Sequence, residues 1–439
     1  MTKNDKTTLN LAEKLVPNSP SSIMVGRIVS SALSLINAPL IARALGPDGR
    51  GETAAAVATF FLVPIVLSVG LPLEVRRLAA KGDAASAWRA ARFVALMAVP
   101  LALALSFPLS VLFFGSLAGV ERLIVIVGIA MGPLMIAWMC DEGVLLAREN
   151  FRSVAILQLT QPVVNTGAVV LGASLGLLSV AWVLVSYLAG LTLTTVVGNA
   201  LVRISWSGPR YSIRRLLRGS LSFAGSSVSE AMANRIDQVI VLPLIGAFQS
   251  GLYAVAVTIG TIPIGLAHAL GASEFRKIAR SEPCERNRAQ QEAVRSAVAV
   301  GGVFCLVLAL GTPLAVGILF GDKFSESVAS VWILLFGSIF MIGSYVASTA
   351  LVAGNAGIRM TSAQTAGAGV GVVALLILGP PLGASGAAAA ASVGYATTFI
   401  LLIVSIGGPF TRFIPYPADG VRAARVLFGK KIADDKDLN

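Results

Sequence analysis

Two runs of polar side chains interrupt apolar stretches at helical spacing. Arg27, Ser31, Ser34 and Asn37 follow at intervals of 4, 3 and 3, and Ser226, Glu230, Asn234 and Asp237 at 4, 4 and 3. At about 100° per residue, each run occupies one face of a helix. A guanidinium such as Arg27 suits a phosphate or pyrophosphate, which it grips with two parallel N–H donors. It suits equally well an anchoring role at a membrane interface, and the sequence leaves both readings open. Serines alone fit close helix packing. Glu230, Asn234 and Asp237 together fit the lining of a polar cavity better, because an unpaired polar group within hydrocarbon is costly.

The elements that must carry these runs are membrane helices. Of 439 residues, 56% are apolar and only 13% charged, against roughly a quarter charged in soluble domains. About 20 apolar residues span the hydrocarbon core. The pattern predicts twelve such helices, near 22–45, 52–75, 93–115, 120–147, 153–176, 178–201, 220–244, 251–274, 296–320, 328–353, 361–380 and 384–408. The seventh is diluted by Ser226, Ser227, Glu230, Asn234, Arg235 and Asp237. It is needed nonetheless, because omitting it would put the basic 276–295 stretch outside. With both termini in the cytoplasm, the inner segments collect most of the 34 basic residues, and the outer loops hold only Arg50, Arg122 and Lys323. That bias follows the positive-inside rule and accounts for the net charge of +12 without a nucleic-acid partner.

The two polar runs are copies of one another. An offset of 200 places Gly46, Gly51, Ala54, Ala56, Val57, Glu74, Arg76 and Ala79 over Gly246, Gly251, Ala254, Ala256, Val257, Glu274, Arg276 and Ala279 without a gap. The same offset sets Asn37 over Asp237. Two six-helix lobes in the same orientation is the parallel-repeat plan of secondary transporters. The chain therefore divides into a cytoplasmic tail (1–21), an N-lobe (22–201), a basic linker (202–219), a C-lobe (220–408) and a cytoplasmic tail (409–439). The stripes on repeat-related helices are expected to line one central cavity.

Other polar residues each admit two readings. Asp141 and Glu142, near the inner end of the fourth helix, are surface groups or ion-coupling carboxylates. Arg235 pairs within the bundle or faces the cavity edge. His268, the one histidine, packs by hydrogen bonding or relays protons. Glu74 and Glu274, beside Arg76 and Arg276, are expected to form local ion pairs that fix helix ends. Prolines such as Pro72, Pro133 and Pro263 mark bends. Cys140, Cys284 and Cys305 lack the spacing of a disulfide framework or a metal site. No phosphate-binding glycine loop occurs, and the outer loops are too short to house an active site, so neither a metal, a cofactor nor an enzyme activity is expected.

Several stretches resemble the polysaccharide flippases of the multidrug/oligosaccharidyl-lipid/polysaccharide flippase superfamily. They are Ile41–Gly51 followed by Gly70-Leu-Pro-Leu-Glu-Val-Arg-Arg77, Arg148-Glu-Asn-Phe151, Asp237 with Gly246 and Gly251-Leu-Tyr253, Ile318–Phe324, Leu351–Gly354 and Leu382–Ala387. The resemblance covers about residues 22–408. It implies an inner-membrane transporter moving a polyprenyl-pyrophosphate-linked oligosaccharide by alternating access for surface polysaccharide biosynthesis. Its partners would be membrane lipid, the glycan substrate, and glycosyltransferases or a polymerase of the same pathway. The substrate-cavity candidates are Arg27, Ser34, Asn37, Glu230, Asn234, Arg235, Asp237 and His268. The ion-coupling candidates are Asp141, Glu142, Glu230 and Asp237. The carboxylates exceed what phosphate binding needs, which leaves glycan binding or cation coupling open. The alternative is an ion-coupled multidrug exporter of the same fold.

Overall fold

Hydrocarbon offers no hydrogen-bond partners, so the backbone must satisfy itself within helices. In the computed structural model, which describes residues 18–117, 119–280, 283–353, 357–413 and 416, helices form nearly the whole chain. They are α1 (Pro20–Ser68), α2 (Leu71–Leu78), α3 (Ala84–Met97), α4 (Val99–Phe113), α5 (Gly119–Ala130), α6 (Gly132–Ala147), α7 (Phe151–Ser174), α8 (Val180–Val202), α9 (Ile213–Gly260), α10 (Pro263–Arg280), α11 (Pro283–Leu319), α12 (Ser327–Ala353) and α13 (Gly357–Ile406). Among the described residues, eight helices are long and apolar enough to cross a membrane. A ninth arises if α5 and α6, bent by 41° at their junction, count as one span.

Three of those helices are too long for one crossing. At about 1.5 Å per residue, a 30 Å core takes roughly 20 residues, whereas α1, α9 and α13 run for 49, 48 and 50. Each is broken by one glycine with non-helical angles: Gly46 (φ 71°, ψ −173°), Gly246 (φ 82°, ψ 169°) and Gly383 (φ 58°, ψ −133°). A side chain at positive φ is strained, and glycine has none. Divided there, the nine candidates become twelve segments, consistent with the expected twelve crossings. Gly46 and Gly246 are also partners under the 200-residue offset, and their backbones break in the same way.

Proline marks four further breaks. Pro72, Pro100, Pro133 and Pro263 stand at the first or second position of α2, α4, α6 and α10, where the missing N–H leaves no ladder bond unmade. The expected helix 52–75 accordingly ends at Ser68. Val69 (φ 47°) and Gly70 (φ 78°) turn the chain before α2 starts. The stretch 76–92, expected as a loop, is instead helical: α2 continues through a π-helical turn, Ala79–Asp83, into α3. The basic residues there ride on helices.

The chain packs as two compact units, Met1–Ala231 and Met232–Asn439. In the first, Leu71, Val75, Trp88, Ile136, Val144, Leu157 and Leu216 form a buried cluster joining α2, α3, α6, α7 and the start of α9. The stretch after α8 is strapped to α3. Arg89 donates to the carbonyls of Ser205 (2.8 Å) and Pro209 (3.0 Å), and the Tyr211 amide donates to the Ser86 carbonyl (3.0 Å). Arg148-Glu-Asn-Phe151 is a structural device: Asn150 caps α7 by accepting from the Ser153 amide (3.2 Å), while Arg148 donates to the last carbonyl of α8, Val202 (2.7 Å). In the second unit, Gln249 accepts from the Ala384 amide (2.9 Å), tying the turn at Gly246 to the turn at Gly383.

The broken backbone at Gly246 should tolerate no side chain. Gly246→Ala is expected to lose about 1–3 kcal/mol and to lower the unfolding temperature in detergent. Gly302→Ala, a helical position with open space around it, should be neutral or stabilising. Equal melting of Gly246→Ala and the parent would contradict the turn assignment.

Candidate functional site

The first polar run divides. Arg27, Ser31 and Ser34 are exposed on one face of α1, and the Ser34 hydroxyl donates to the Ser30 carbonyl at 3.1 Å. Asn37 is different: only 6% exposed, it donates through Nδ2 to Thr166 Oγ1 on α7 at 3.0 Å. Its Oδ1 is enclosed without a hydrogen-bond partner. Asn37 thus belongs to the α1–α7 contact, a polar clasp of the kind that holds membrane helices together.

α7 carries a polar stripe that the sequence reading passed over. Gln158, Gln161 and Asn165 recur at helical spacing, and Gln158 Oε1, Gln161 Nε2 and Asn165 Oδ1 each sit enclosed without a partner. Two glutamines and an asparagine at intervals of 3 and 4 in an apolar helix were the available signal. Gln158 donates through Nε2 to Glu142 Oε1 at 2.6 Å, so Glu142, one of the ion-coupling candidates, is already engaged within the unit.

Asp141 corrects the surface reading. Its side chain is completely buried and paired with Arg92, whose Nη2 lies 2.6 Å from both carboxylate oxygens. Trp88 Nε1 donates to Oδ1 at 2.7 Å. The Arg92 guanidinium stands 4.9 Å from the Trp88 ring centroid, and Trp206 meets Trp88 edge-on at 5.4 Å. α8 passes close by at Gly198, where an added Cβ would come within 2.6 Å of Asp141 Oδ2. The expected helix 93–115 leaves Arg92 in the preceding loop; the helical path from α2 into α3 carries it inward instead. A carboxylate held by a guanidinium and an indole has little capacity left for a transported ion.

Glu74 also departs from expectation in its partner. Buried to 1% exposure, it accepts from Arg77 Nε and Nη2 at 2.7 and 2.5 Å. Arg76 and Arg77 are both exposed, but only Arg77 shares a face with Glu74, because residues three apart do so on a helix and residues two apart do not. The side chains of Glu274 and Arg276 lie outside the described residues.

In the second unit Asp237 is the carboxylate to weigh. Tyr253, fully buried about two turns beyond Gly246, donates its hydroxyl to Asp237 Oδ2, and Oδ1 is enclosed without a partner. Arg235 donates to Gln238 Oε1 at 3.4 Å. His268 is exposed, with its ring 4.4 Å from that of Tyr345 in an edge-on contact. The side chains of Ser226, Glu230 and Asn234 lie outside the described residues, although α9 runs through their positions.

An all-helical, multi-pass architecture with a repeated glycine-broken hairpin defines a class, and comparison with solved structures agrees. The chain superposes on "Lipid II flippase MurJ, inward closed conformation" with a TM-score of 0.73 at 15% identity, covering 94% of this chain and 93% of that one. An inward-facing multidrug resistance MATE family transporter of the MOP superfamily gives 0.65 at 16%, covering 92% and 96%. An outward-facing one gives 0.57 at 14%, covering 92% and 94%. At such identities the likeness establishes the fold alone. The profile of the polysaccharide biosynthesis protein family matches residues 18–273, and the chain belongs to that family. No curated protein matches it by sequence.

Removing Arg92 would strand the Asp141 charge in a buried site. Arg92→Ala is expected to cost about 3–5 kcal/mol in detergent unfolding, and Arg92→Leu combined with Asp141→Leu should recover most of the loss. Loss in the single variant without recovery in the pair would contradict the ion-pair account.

Proposed function

We propose that the protein is a flippase that moves a polyprenyl-pyrophosphate-linked oligosaccharide from the cytoplasmic to the outer leaflet of the inner membrane, by alternating access, for surface or extracellular polysaccharide biosynthesis. The observation that carries this reading is the match to polysaccharide biosynthesis proteins over residues 18–273, on a fold whose solved neighbours include a lipid II flippase. No covalent step is required, since the work is to move a polar headgroup across hydrocarbon while the tail stays in lipid. Both termini lie in the cytoplasm, where the glycosyltransferases that build the substrate act.

Two chemistries must meet the headgroup. Arg27, exposed on α1 with Ser34, offers a guanidinium to the pyrophosphate. Asp237, held at one oxygen by Tyr253 and enclosed without a partner at the other, would offer an acceptor to sugar hydroxyls or a coupling cation once the lobes move apart. Glu230, Asn234, Arg235 and His268 belong to the same proposal as further polar groups of the path, and Asn37 supports α1 from behind. Asp141 and Glu142 stabilise the first unit.

A second reading, an ion-coupled multidrug exporter, draws on the 0.65 similarity to a MATE transporter and on the carboxylate of Asp237, which keeps one enclosed oxygen without a partner. The family match favours the flippase. In a strain lacking the chromosomal gene, Arg27→Ala and Asp237→Ala, each expressed at the parent level, are expected to reduce cell-surface glycan by at least tenfold and to accumulate lipid-linked oligosaccharide. Normal surface glycan with both variants would remove this site assignment. Unchanged glycan together with drug hypersensitivity in the deletion strain would favour the exporter.

A further inference from the structure

Outside the residues assigned to transport, one cavity is built almost wholly from charge. It lies in the second unit, where α11 begins and α13 has ended, and has a volume of about 320 Å³. Arg288, Gln291, Glu292 and Arg295 line it from α11 and Arg412 from the short turn Phe410–Phe413. The four α11 residues fall at positions i, i+3, i+4 and i+7, a single helix face.

The wall is held in place. Gln291, 5% exposed, donates through Nε2 to the Gly407 carbonyl at 2.8 Å and so fixes the end of α13 to α11. Gln290 donates to the Ala350 carbonyl at 2.8 Å, which secures α11 to α12. Phe413, 5% exposed, anchors the turn that presents Arg412. The Arg295 guanidinium stands 5.2 Å from the Tyr416 ring centroid, so its direction is set by stacking. Glu292 accepts from Arg288 at 3.2 Å and offsets one of the three cations. Three guanidinium groups and one carboxylate thus line a concave site of the size that takes small ligands, roughly 300 Å³ and upward.

The depth of the cavity indicates the source of its ligand. α11 has 37 residues, about 55 Å at the helical rise, well beyond a 30 Å core. Its apolar part crosses the membrane; its charged first turns, with Arg286, Arg288, Glu292 and Arg295, extend past the hydrocarbon into the headgroup layer. That end is the one the charge bias assigns to the cytoplasm. Guanidinium groups at this depth meet phosphate oxygens.

We propose that this cavity is a binding site for the phosphate of an anionic membrane phospholipid, held by Arg288, Arg295 and Arg412. Occupation would join the start of α11 to the chain beyond α13. The bound lipid is a constituent of the surrounding leaflet and not the transported glycan, so the proposal stands whether or not the transport reading does.

Native mass spectra of the full-length protein in detergent test it, with phosphatidylglycerol, phosphatidylcholine or inorganic phosphate added. Phosphatidylglycerol is expected to give a saturable adduct. Arg412→Gln should weaken the adduct about fivefold, the worth of one basic residue at a membrane surface. Arg288→Gln combined with Arg412→Gln should weaken it more than tenfold, whereas Arg412→Lys should retain most of the binding. The conservative variant and a melting curve separate loss of charge from loss of fold. Equal binding of phosphatidylcholine, or an unchanged adduct in the double variant, would overturn the proposal. Retention of inorganic phosphate with displacement of phosphatidylglycerol would assign the site to a soluble anion and overturn the lipid.

Discussion

A polar group in hydrocarbon must find its partner inside the protein, and most features of this chain follow from that constraint. Backbone amides meet it by forming helices, and the three longest helices break where glycine can take up non-helical angles, at Gly46, Gly246 and Gly383. Side chains meet it in pairs. Arg92 and Trp88 enclose Asp141, Arg77 covers Glu74, Thr166 accepts from Asn37, and Tyr253 donates to Asp237. Most serines and threonines satisfy themselves, donating to a carbonyl three or four residues back, as Ser34 and Thr59 do.

Once those pairs are subtracted, some enclosed polar atoms among the described residues are left without a hydrogen-bond partner. Asp237 keeps one oxygen open, and Gln158, Gln161 and Asn165 keep open positions along α7. A transporter needs such unspent hydrogen-bonding capacity, because its cargo must exchange water for protein contacts within the membrane. Asp141, by contrast, has spent its capacity on Arg92 and Trp88. The difference between these two carboxylates lies wholly in what surrounds them.

The architecture was legible in the sequence because its determinants are local. Apolar runs of spanning length give the helices, and the identity of Gly46 with Gly246 at a 200-residue offset anticipates two backbone breaks of the same kind. The site was legible only in part. The Arg92–Asp141 pair joins residues 49 apart, and no periodicity links them; Arg92 read as a loop residue because helix α3 begins before its apolar part does. The local ion pair expected of Glu74 forms, and helix geometry selects Arg77, three positions on, as its partner. Asn37 shares a stripe with Arg27 and Ser34 but lies about 80° round the helix from Arg27, enough to face α7. At Pro72, Pro133 and Pro263 the effect is sharper than a bend, since each stands at the start of a new helix, whereas Pro39, Pro64, Pro162, Pro243 and Pro313 lie inside helices.

The central claim is movement of a lipid-linked glycan between leaflets. The most direct measurement is the fraction of lipid-linked oligosaccharide that a membrane-impermeant glycosidase or lectin reaches in right-side-out vesicles, with and without the protein. The account predicts that the accessible fraction falls severalfold when the protein is absent and returns when it is restored, with total lipid-linked glycan unchanged or raised. An accessible fraction that is the same in both preparations would contradict it.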